Sequence, residues 1–224
     1  MSAVFVTGTG TEIGKTFVTA ALIHALRRKG RQIDALKPVA SGFDPARLAA
    51  SDPGILLAAL QREPSAEALE RMAPWRYAAP LSPDMAARQA GEELDFGALV
   101  AFTRQAIAAA PGVLLIEGIG GMMVPLDARH TVLDWMAALC VPVLLVGGSY
   151  LGGISHALTA LDALAHRELR VIAMIVSETP AGVDLAATVA TIERFSRGVP
   201  VIALPRLPGA ESVHPALQRV ADLL

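Results

Sequence analysis

The chain has little of several residue types that mark other classes of protein. It contains one cysteine in 224 residues, so no disulfide can form within the chain. Charged residues make up 18% of it and the net charge is −2, which gives no basic surface for nucleic acid or for a membrane. No apolar run is long enough to span a bilayer, and no basic, apolar targeting segment opens the chain. We therefore expect a cytoplasmic protein without a nucleic-acid or membrane partner.

Apolar residues, in contrast, make up 53% of the sequence. A length of 224 residues suits one domain, 1–224, with a core that needs no disulfide or metal. Six or seven short apolar segments alternate with helical patterns, which predicts an α/β fold with a doubly wound, mostly parallel sheet. Cys140 lies in the apolar run LCVPVLLV, and we expect its thiol to be buried and unreactive.

Apolar spacing also predicts individual elements. Besides the first strand, strands are expected at 32–36, 112–116, 141–146, 170–176 and 199–204. Helices are expected at 17–28, 82–89, 95–110, 131–139, 154–165, 183–196 and 213–224, with one or two short ones within 53–71. The segments 39–52 and 72–83 are expected to be loops, the second being either a lid over a site or a cap on the core.

The stretch AVFVTGTGTEIGKT at 3–16 joins an apolar strand to a helix through a glycine-rich loop. That context distinguishes a phosphate-binding loop from a chance Gly-Lys-Thr match. Lys15 is expected to neutralise the outer phosphates, and the Thr16 hydroxyl to ligate Mg²⁺. Thr9 stands where the usual pattern has its first glycine, so the loop is a variant of the common form.

Further polar residues follow the ends of later strands, where ligands bind in open α/β sheets. Lys37, Ser41 and Asp52 follow the second strand, and their side chains suit phosphate and metal. Glu117 follows the apolar run GVLLI and precedes a glycine-rich turn. A carboxylate at this place typically holds Mg²⁺ in nucleotide sites, although an acid can also simply cap a turn.

A second glycine-rich turn, 147–153, opens the helix at 154–165. Backbone N–H groups at such a helix start can bind an anion, and a carboxylate would suit the place. His156 lies nearby, and local packing or hydrogen bonding is the simpler interpretation of that residue.

Five segments together resemble the dethiobiotin synthetase family over nearly the whole chain. They are GTGTEIGKT at 8–16, KPVASG at 37–42, SD at 51–52, EGIGG at 117–121 and LGGISHA at 151–157. The resemblance implies a ligase that uses ATP and Mg²⁺ to close the ureido ring of dethiobiotin from 7,8-diaminopelargonate and CO₂. The implied intermediates are a carbamate and a carbamic–phosphoric anhydride.

The resemblance also implies the roles of individual residues, and a homodimer in which the second helix start serves the partner's site. Catalysis falls to Lys37, Lys15 and Thr11, and the metal ligands are Thr16, Asp52 and Glu117. The nucleotide contacts are Gly10, Thr11, Glu12, Ile13, Gly14, Lys15, Thr16, Phe17, Ser177 and Pro205. The contacts to the diamine substrate are Ser41, Gly118, Gly152, Gly153, Ile154 and Ser155.

Three positions depart from the family pattern. Gly10 replaces a frequent Asp in the loop, and Ser155 replaces an Asn at the second helix start. Ser177 replaces the Asn that reads adenine, and a hydroxyl cannot supply the paired donor and acceptor of an amide. A nucleotide other than ATP therefore stays an open alternative.

Other functions fit the motifs less well. A regulatory ATPase switch shares the variant loop, but many such proteins carry an extra lysine early in it, and none precedes Lys15 here. The related amide-forming ligases of cobalamin biosynthesis carry a further glutamine-hydrolysing domain, for which 224 residues leave no room. A plain binding module would not need two lysines and two acids around one loop.

Overall fold

A computed structural model describes residues 3–224 of the protein. Its strands are β1 (Ala3–Gly8), β2 (Ile33–Leu36), β3 (Val39–Ser41), β4 (Trp75–Tyr77), β5 (Val113–Glu117), β6 (Val143–Gly148), β7 (Val171–Ser177) and β8 (Val201–Leu204). Its α-helices are α1 (Lys15–Arg28), α2 (Asp52–Ala59), α3 (Ala66–Met72), α4 (Pro83–Gln89), α5 (Phe96–Ala109), α6 (Val132–Leu139), α7 (Gly153–His166), α8 (Leu185–Phe195) and α9 (Pro215–Leu223).

Six strands form the main sheet, in the order β2-β5-β1-β6-β7-β8. All five pairings between them are parallel. Every residue of β1, β5 and β6 is buried, which accounts for their continuous apolar sequences. The predicted parallel sheet is confirmed.

Helices cover both faces of this sheet, because successive strand residues point to opposite sides. Ala3 and Phe5 of β1 pack in a core with α4–α8, where the Phe5 ring meets Trp135 edge-on at 4.8 Å. Val4 and Val6 pack in a second core with α1, α2, α3 and α9. The doubly wound architecture is therefore confirmed as well.

The segments 39–52 and 72–83 are not the plain loops that the sequence predicted. Residues of β3 and β4 pair in parallel as a small second sheet, and Pro45–Ala50 form a 3₁₀ helix. Strands of three residues are too short to show periodicity, which is why the pattern missed them. The Trp75 ring packs edge-on against Phe102 at 5.6 Å, so β4 caps the core.

The expectation of a buried Cys140 is wrong. Cys140 is exposed and ends α6 in a left-handed conformation, with φ of 54°. The chain turns there before it enters the sheet, and full burial begins only at Val143. An apolar run in the sequence therefore included a turn residue whose side chain points to solvent.

The remaining elements agree with the prediction to within a few residues. The pattern within 53–71 resolves into α2 and α3, and Glu117 is the last residue of β5 instead of the first after it. None of the helices within residues 3–224 has the length and apolar character needed to cross a membrane.

Candidate functional site

The phosphate loop connects the end of β1 to α1. Glu12 and Gly14 both adopt positive φ values, 56° and 92°, and Gly14 is the N-cap of α1 without any side-chain cap. Glycine takes up such a conformation without steric cost. The loop therefore leaves the first N–H groups of α1 unbonded to side chains, as an anion site requires.

Lys15 reaches back across this loop. Its ammonium donates to the carbonyl of Gly10 at 2.7 Å, and the residue is 7% exposed. Burial, and then the charge of Lys37, lowers the pKa of Lys15 to about 8, against the opposing pull of Glu117 and Asp52. A buried ammonium with a depressed pKa is a group that a bound anion would stabilise.

Lys37, Glu117 and Asp52 form a charged cluster beside the loop. The Lys37 Nζ lies 2.7 Å from Glu117 Oε1 and 3.0 Å from Asp52 Oδ2, and it donates to the Gly118 carbonyl at 2.8 Å. Lys37 is 2% exposed and Glu117 0%. A charge so deeply buried persists only when it is paired and hydrogen-bonded.

The same contacts shift the titration of this cluster. Burial would lower the pKa of Lys37, but the adjacent Glu117 and Asp52 outweigh it and raise that pKa. Burial would raise the pKa of Asp52, but the charge and hydrogen bond of Lys37, with the Thr16 hydroxyl, lower it. The lysine and the aspartate are therefore both charged at neutral pH.

Three oxygens converge at the start of α1. Thr16 Oγ1 lies 2.9 Å from Asp52 Oδ1 and 2.7 Å from Glu117 Oε1, although its single proton can serve only one of them at a time. Glu117 Oε2 is buried without a hydrogen-bond partner. Oxygen ligands in this arrangement fit a hard cation such as Mg²⁺.

The set of protein ligands is small, which also suits Mg²⁺. Residues 3–224 contain no group of three or more His, Cys, Asp or Glu side chains that could hold a metal by themselves. Mg²⁺ usually takes one or two carboxylates and completes its shell with water and substrate phosphates. Two carboxylates and a hydroxyl beside a phosphate loop match that coordination preference.

Two adjoining cavities extend from the loop and share Glu12, Gly14 and Phe17 in their walls. The first, of about 340 Å³, is bordered by Lys37 and Asp52 of the charged cluster. It is also lined by Thr11, Lys15, Thr16, Lys37, Ser41, Asp52, Ile119 and Gly120. The second, of about 230 Å³, lies under the ends of β7 and β8. We call these the phosphate cavity and the base cavity.

The base cavity is mostly apolar. Its remaining lining is Ile13, Ser177, Glu178, Thr179, Pro180, Leu204, Pro205, Arg206 and Leu207. Ser177 Oγ is buried without a partner, and Glu178 Oε2 accepts a hydrogen bond from the Arg206 N–H at 2.9 Å. The predicted nucleotide residues Ser177 and Pro205 therefore lie in one cavity, next to the loop residues 12–14.

The start of α7 lies apart from both cavities. Gly152 is its N-cap, with φ of 92° and no side-chain cap, and the preceding Leu151 is 91% exposed. Tyr150 and His156 bond to each other at 2.8 Å, so His156 makes the local contact that the sequence favoured. None of the predicted substrate residues Gly152, Gly153, Ile154 and Ser155 lines either cavity.

Most of the predicted site residues otherwise come together. Gly10 and Gly118 contribute carbonyls to Lys15 and Lys37, and Thr11 and Ser41 line the phosphate cavity. Sequence reasoning missed eight lining residues, namely Ile119, Gly120, Glu178, Thr179, Pro180, Leu204, Arg206 and Leu207. Leu204 ends β8 and the other seven follow the ends of parallel strands, which is the signal that could have found them.

Comparison with known proteins supports the same family as the motifs. A profile described as an AAA domain matches residues 2–215. The ATP-dependent dethiobiotin synthetase BioD of Methylobacterium nodulans is 52% identical, over 92% of this chain and 94% of its own. The synthetase of the same name from Caulobacter sp. is 50% identical, over 92% and 89%. That of Pseudomonas aeruginosa is 39% identical, over 96% and 93%.

Solved structures with the same fold are more distant in sequence. The cell division ATPase MinD of Pyrococcus furiosus superposes with a TM-score of 0.60 at 17% identity, over 100% of this chain and 98% of its own. MinD of Aquifex aeolicus gives a TM-score of 0.56 at 14% identity, over 100% and 95%. At these identities the likeness concerns the fold alone.

Proposed function

The chain belongs to the ATP-dependent dethiobiotin synthetase family, and from that premise we propose that it closes the ureido ring of dethiobiotin. The substrates are 7,8-diaminopelargonate, CO₂ and ATP, and the products are dethiobiotin, ADP and phosphate. The observation that carries the proposal is the cluster of buried Lys37 and Glu117 with the half-exposed Asp52, beside Lys15. Two cations and two carboxylates at the end of a phosphate loop suit phosphoryl transfer to an anion.

The reaction proceeds in three steps. One amine nitrogen of the substrate attacks CO₂ and loses a proton, which gives a carbamate. A carbamate oxygen then attacks the γ-phosphorus of ATP, ADP leaves, and a carbamic–phosphoric anhydride forms. The second amine nitrogen attacks the carbonyl carbon of the anhydride, expels phosphate, and completes the ring after losing its proton.

The second step brings two anions together, and electrostatic repulsion between them is its main obstacle. Lys15 lies across the phosphate loop and serves the β- and γ-phosphates. Lys37 lines the phosphate cavity, and its ammonium lies 2.8 Å from the Gly118 carbonyl. From there it would stabilise the negative charge of the carbamate and of the transferred phosphoryl group. Thr11 lines the same cavity and positions the phosphates.

Thr16, Asp52 and Glu117 would hold Mg²⁺, whose chemistry is to neutralise charge on the β- and γ-phosphate oxygens. Because the Lys37 ammonium contacts both carboxylates, it offsets part of their negative charge and keeps their side chains in place before the metal binds. Ser41 lines the same cavity and is available to the diamine.

A homodimer with sites at the interface is a further part of the proposal. The start of α7 offers backbone N–H groups without a side-chain cap, which suits the substrate carboxylate, yet it lies outside both cavities of its own chain. Supply of this helix start by a partner subunit would complete the site. Leu151, almost fully exposed, gives that contact an apolar residue to bury.

The chain would act as one domain, 1–224, in the cytoplasm. Support for that location comes from the proposed reaction, which consumes ATP.

Phosphate release with MgATP and bicarbonate, measured with and without 7,8-diaminopelargonate, tests the function. We expect release that depends on the diamine, and a ureido product of the mass of dethiobiotin formed in equal amount. ATP hydrolysis at the same rate with and without the diamine, and with no ureido product, would instead indicate a regulatory ATPase. Sedimentation of wild type and Leu151→Asp tests the dimer, which the variant should weaken.

A further inference from the structure

Ser149 is the first residue after β6, in the glycine-rich turn that leads to α7. It is 0% exposed, and it does not belong to the lining of either cavity within residues 3–224. We propose that Ser149 is a positioning residue that holds two substrate-binding segments at once, the turn 178–183 beside the base cavity and the start of α7. The inference rests on the proposed function and adds to it a residue that touches no substrate.

Three hydrogen bonds join Ser149 to β7 and to the turn that follows it. Its N–H donates to the Ser177 carbonyl at 3.1 Å, which continues the pairing of β6 with β7. Its hydroxyl oxygen accepts the Thr179 N–H at 3.0 Å, and its carbonyl accepts the Val183 N–H at 2.6 Å. One residue therefore holds the turn near both of its ends.

The turn depends on these bonds because it lies on the surface. Every residue from 180 to 184 is exposed, so apolar burial contributes little there. Ala181 adopts a left-handed conformation with φ of 52°, which costs energy for a residue with a Cβ. Thr179 and Pro180, at the start of the turn, line the base cavity. A displaced turn would therefore change the wall of that cavity.

The start of α7 is fixed at the same place. Tyr150 follows Ser149 directly, and its carbonyl accepts the N–H of Gly153, the first residue of α7, at 2.8 Å. A Cβ on Gly148 would lie 2.8 Å from Thr179 Oγ1 and 2.9 Å from the Tyr150 ring. The turn and the segment that enters α7 therefore pack against the same strand end, and a shift of Ser149 would move both.

The hydroxyl of Ser149 has a role that an apolar side chain could not fill. Its bond to the Thr179 N–H is partly buried, and an N–H left there without a partner is costly. Alanine at this position would remove that acceptor, whereas the two backbone bonds of residue 149 could persist. We therefore expect the turn to shift until water reaches the Thr179 N–H, while the domain stays folded.

Ser149→Ala tests the inference, with Ser196→Ala as the matched control. Ser196 is also buried, and its hydroxyl lies 3.1 Å from the Glu193 carbonyl and 2.8 Å from the Val199 carbonyl, at the far end of α8. We expect Ser149→Ala to raise both the Kd for MgATP and the KM for the diamine about three- to tenfold, with kcat within about twofold of wild type. Ser196→Ala should leave all three constants unchanged.

Hydrogen exchange adds a readout that does not need turnover. The amides of 150–156 and of 178–184 should both exchange faster in Ser149→Ala than in the wild type, and neither segment should change in Ser196→Ala. Ser149→Cys replaces the hydroxyl by a thiol, which is a weaker acceptor. It should show the same changes to a smaller degree, and it carries the test if the alanine variant does not fold.

Unchanged values of Kd and KM in a folded Ser149→Ala variant would overturn the inference. A change in only one of the two constants, or a loss confined to kcat, would overturn it as well, because the proposal requires one residue to serve both segments. A wild type that binds MgATP but forms no dethiobiotin would instead refute the proposed function. In that case calorimetry and hydrogen exchange would still decide whether Ser149 positions the turn and the start of α7.

Discussion

The starts of α1 and α7 use the same backbone conformation in very different surroundings. Gly14 and Gly152 both cap their helices with φ of 92°, and neither helix has a side-chain cap. The two helices follow neighbouring strands, β1 and β6, and pack on opposite faces of the sheet. Lys15, Thr16, Asp52 and Glu117 surround the first helix start, whereas exposed Leu151 precedes the second.

This difference shows that the side chains around an uncapped helix start decide what the site can bind and catalyse. The first is completed by charged side chains of its own chain. The second has backbone N–H groups, the Tyr150–His156 pair and a solvent-exposed leucine, but no cation or carboxylate within residues 3–224 is bonded beside it, so we expect a site there to be completed from outside the chain. The proposed homodimer follows from that asymmetry, and the predictions below test it in order of decreasing effect.

Removing the lysines of the first helix start should have the largest effect. We expect Lys37→Ala to lower turnover by about 10²–10³, since it removes the cation nearest the transferred charge, while MgATP still binds. Lys15→Ala should weaken MgATP binding and turnover together. Phosphate release and calorimetry separate the two outcomes.

The chain supplies its own control for these variants. It contains only three lysines, and the third, Lys29, pairs on the surface with Asp222. Lys29→Ala should leave both measurements unchanged. Because Lys37→Ala strips a buried carboxylate of its partner, it should also cost about 3–5 kcal/mol of stability, which a denaturation curve reports. Wild-type turnover in Lys37→Ala would refute the role proposed for this residue.

Alanine at the two capping glycines sharpens the comparison directly. Either substitution forces a left-handed conformation on a residue with a Cβ, at a cost of about 1–2 kcal/mol. Gly14 lies in the wall of both cavities, so Gly14→Ala should also weaken MgATP binding at least about tenfold. A Cβ at Gly152 meets nothing within 4 Å, and MgATP binding should survive there. Instead, Gly152→Ala should raise the KM for the diamine. If the two variants bound MgATP equally well, the proposed difference between the two helix starts would be refuted.

The pH dependence of nucleotide binding should also be specific to the first helix start. In the free protein, burial and Lys37 hold the pKa of Lys15 near 8, and a bound phosphate would stabilise the charged form. Binding therefore takes up a proton above about pH 8, and the affinity for MgATP should fall as the pH rises from there. Lys15→Arg, which stays charged, should flatten that fall. An affinity that rises over the same range would contradict the assignment.

The smallest effect is expected at α6, which begins with a complete capping box. Asp134 Oδ2 accepts the Thr131 N–H at 2.8 Å, and contacts with Thr131 and Arg167 outweigh burial and lower the pKa of Asp134. Asp134→Ala should cost about 1 kcal/mol at pH 7 without altering nucleotide binding. Because the folded pKa is depressed, this contribution is present above about pH 4 and is lost as the pH falls below it. Urea denaturation at pH 7 and pH 3.5 measures both.

The sequence predicted site residues best where they directly follow or end a strand of the main sheet. Lys15, Thr16 and Glu117 could be placed because parallel strands present their carboxyl ends at one edge of the sheet. The direct contact of Lys37 with Glu117 was not foreseen, since it joins residues 80 positions apart through the order of β2 and β5. The parallel pair of β3 and β4 escaped for the same reason, because strands of three residues are stabilised by their pairing and not by a local pattern.

The exposed thiol of Cys140 gives this protein a single chemical handle. A maleimide dye or spin label would attach at one known place per chain, at the end of α6, without any mutagenesis. Two such labels in a symmetric dimer would report one inter-subunit distance, and a monomer would report none. The same thiol would cross-link chains during storage without reductant, so preparations kept in air should slowly accumulate covalent pairs.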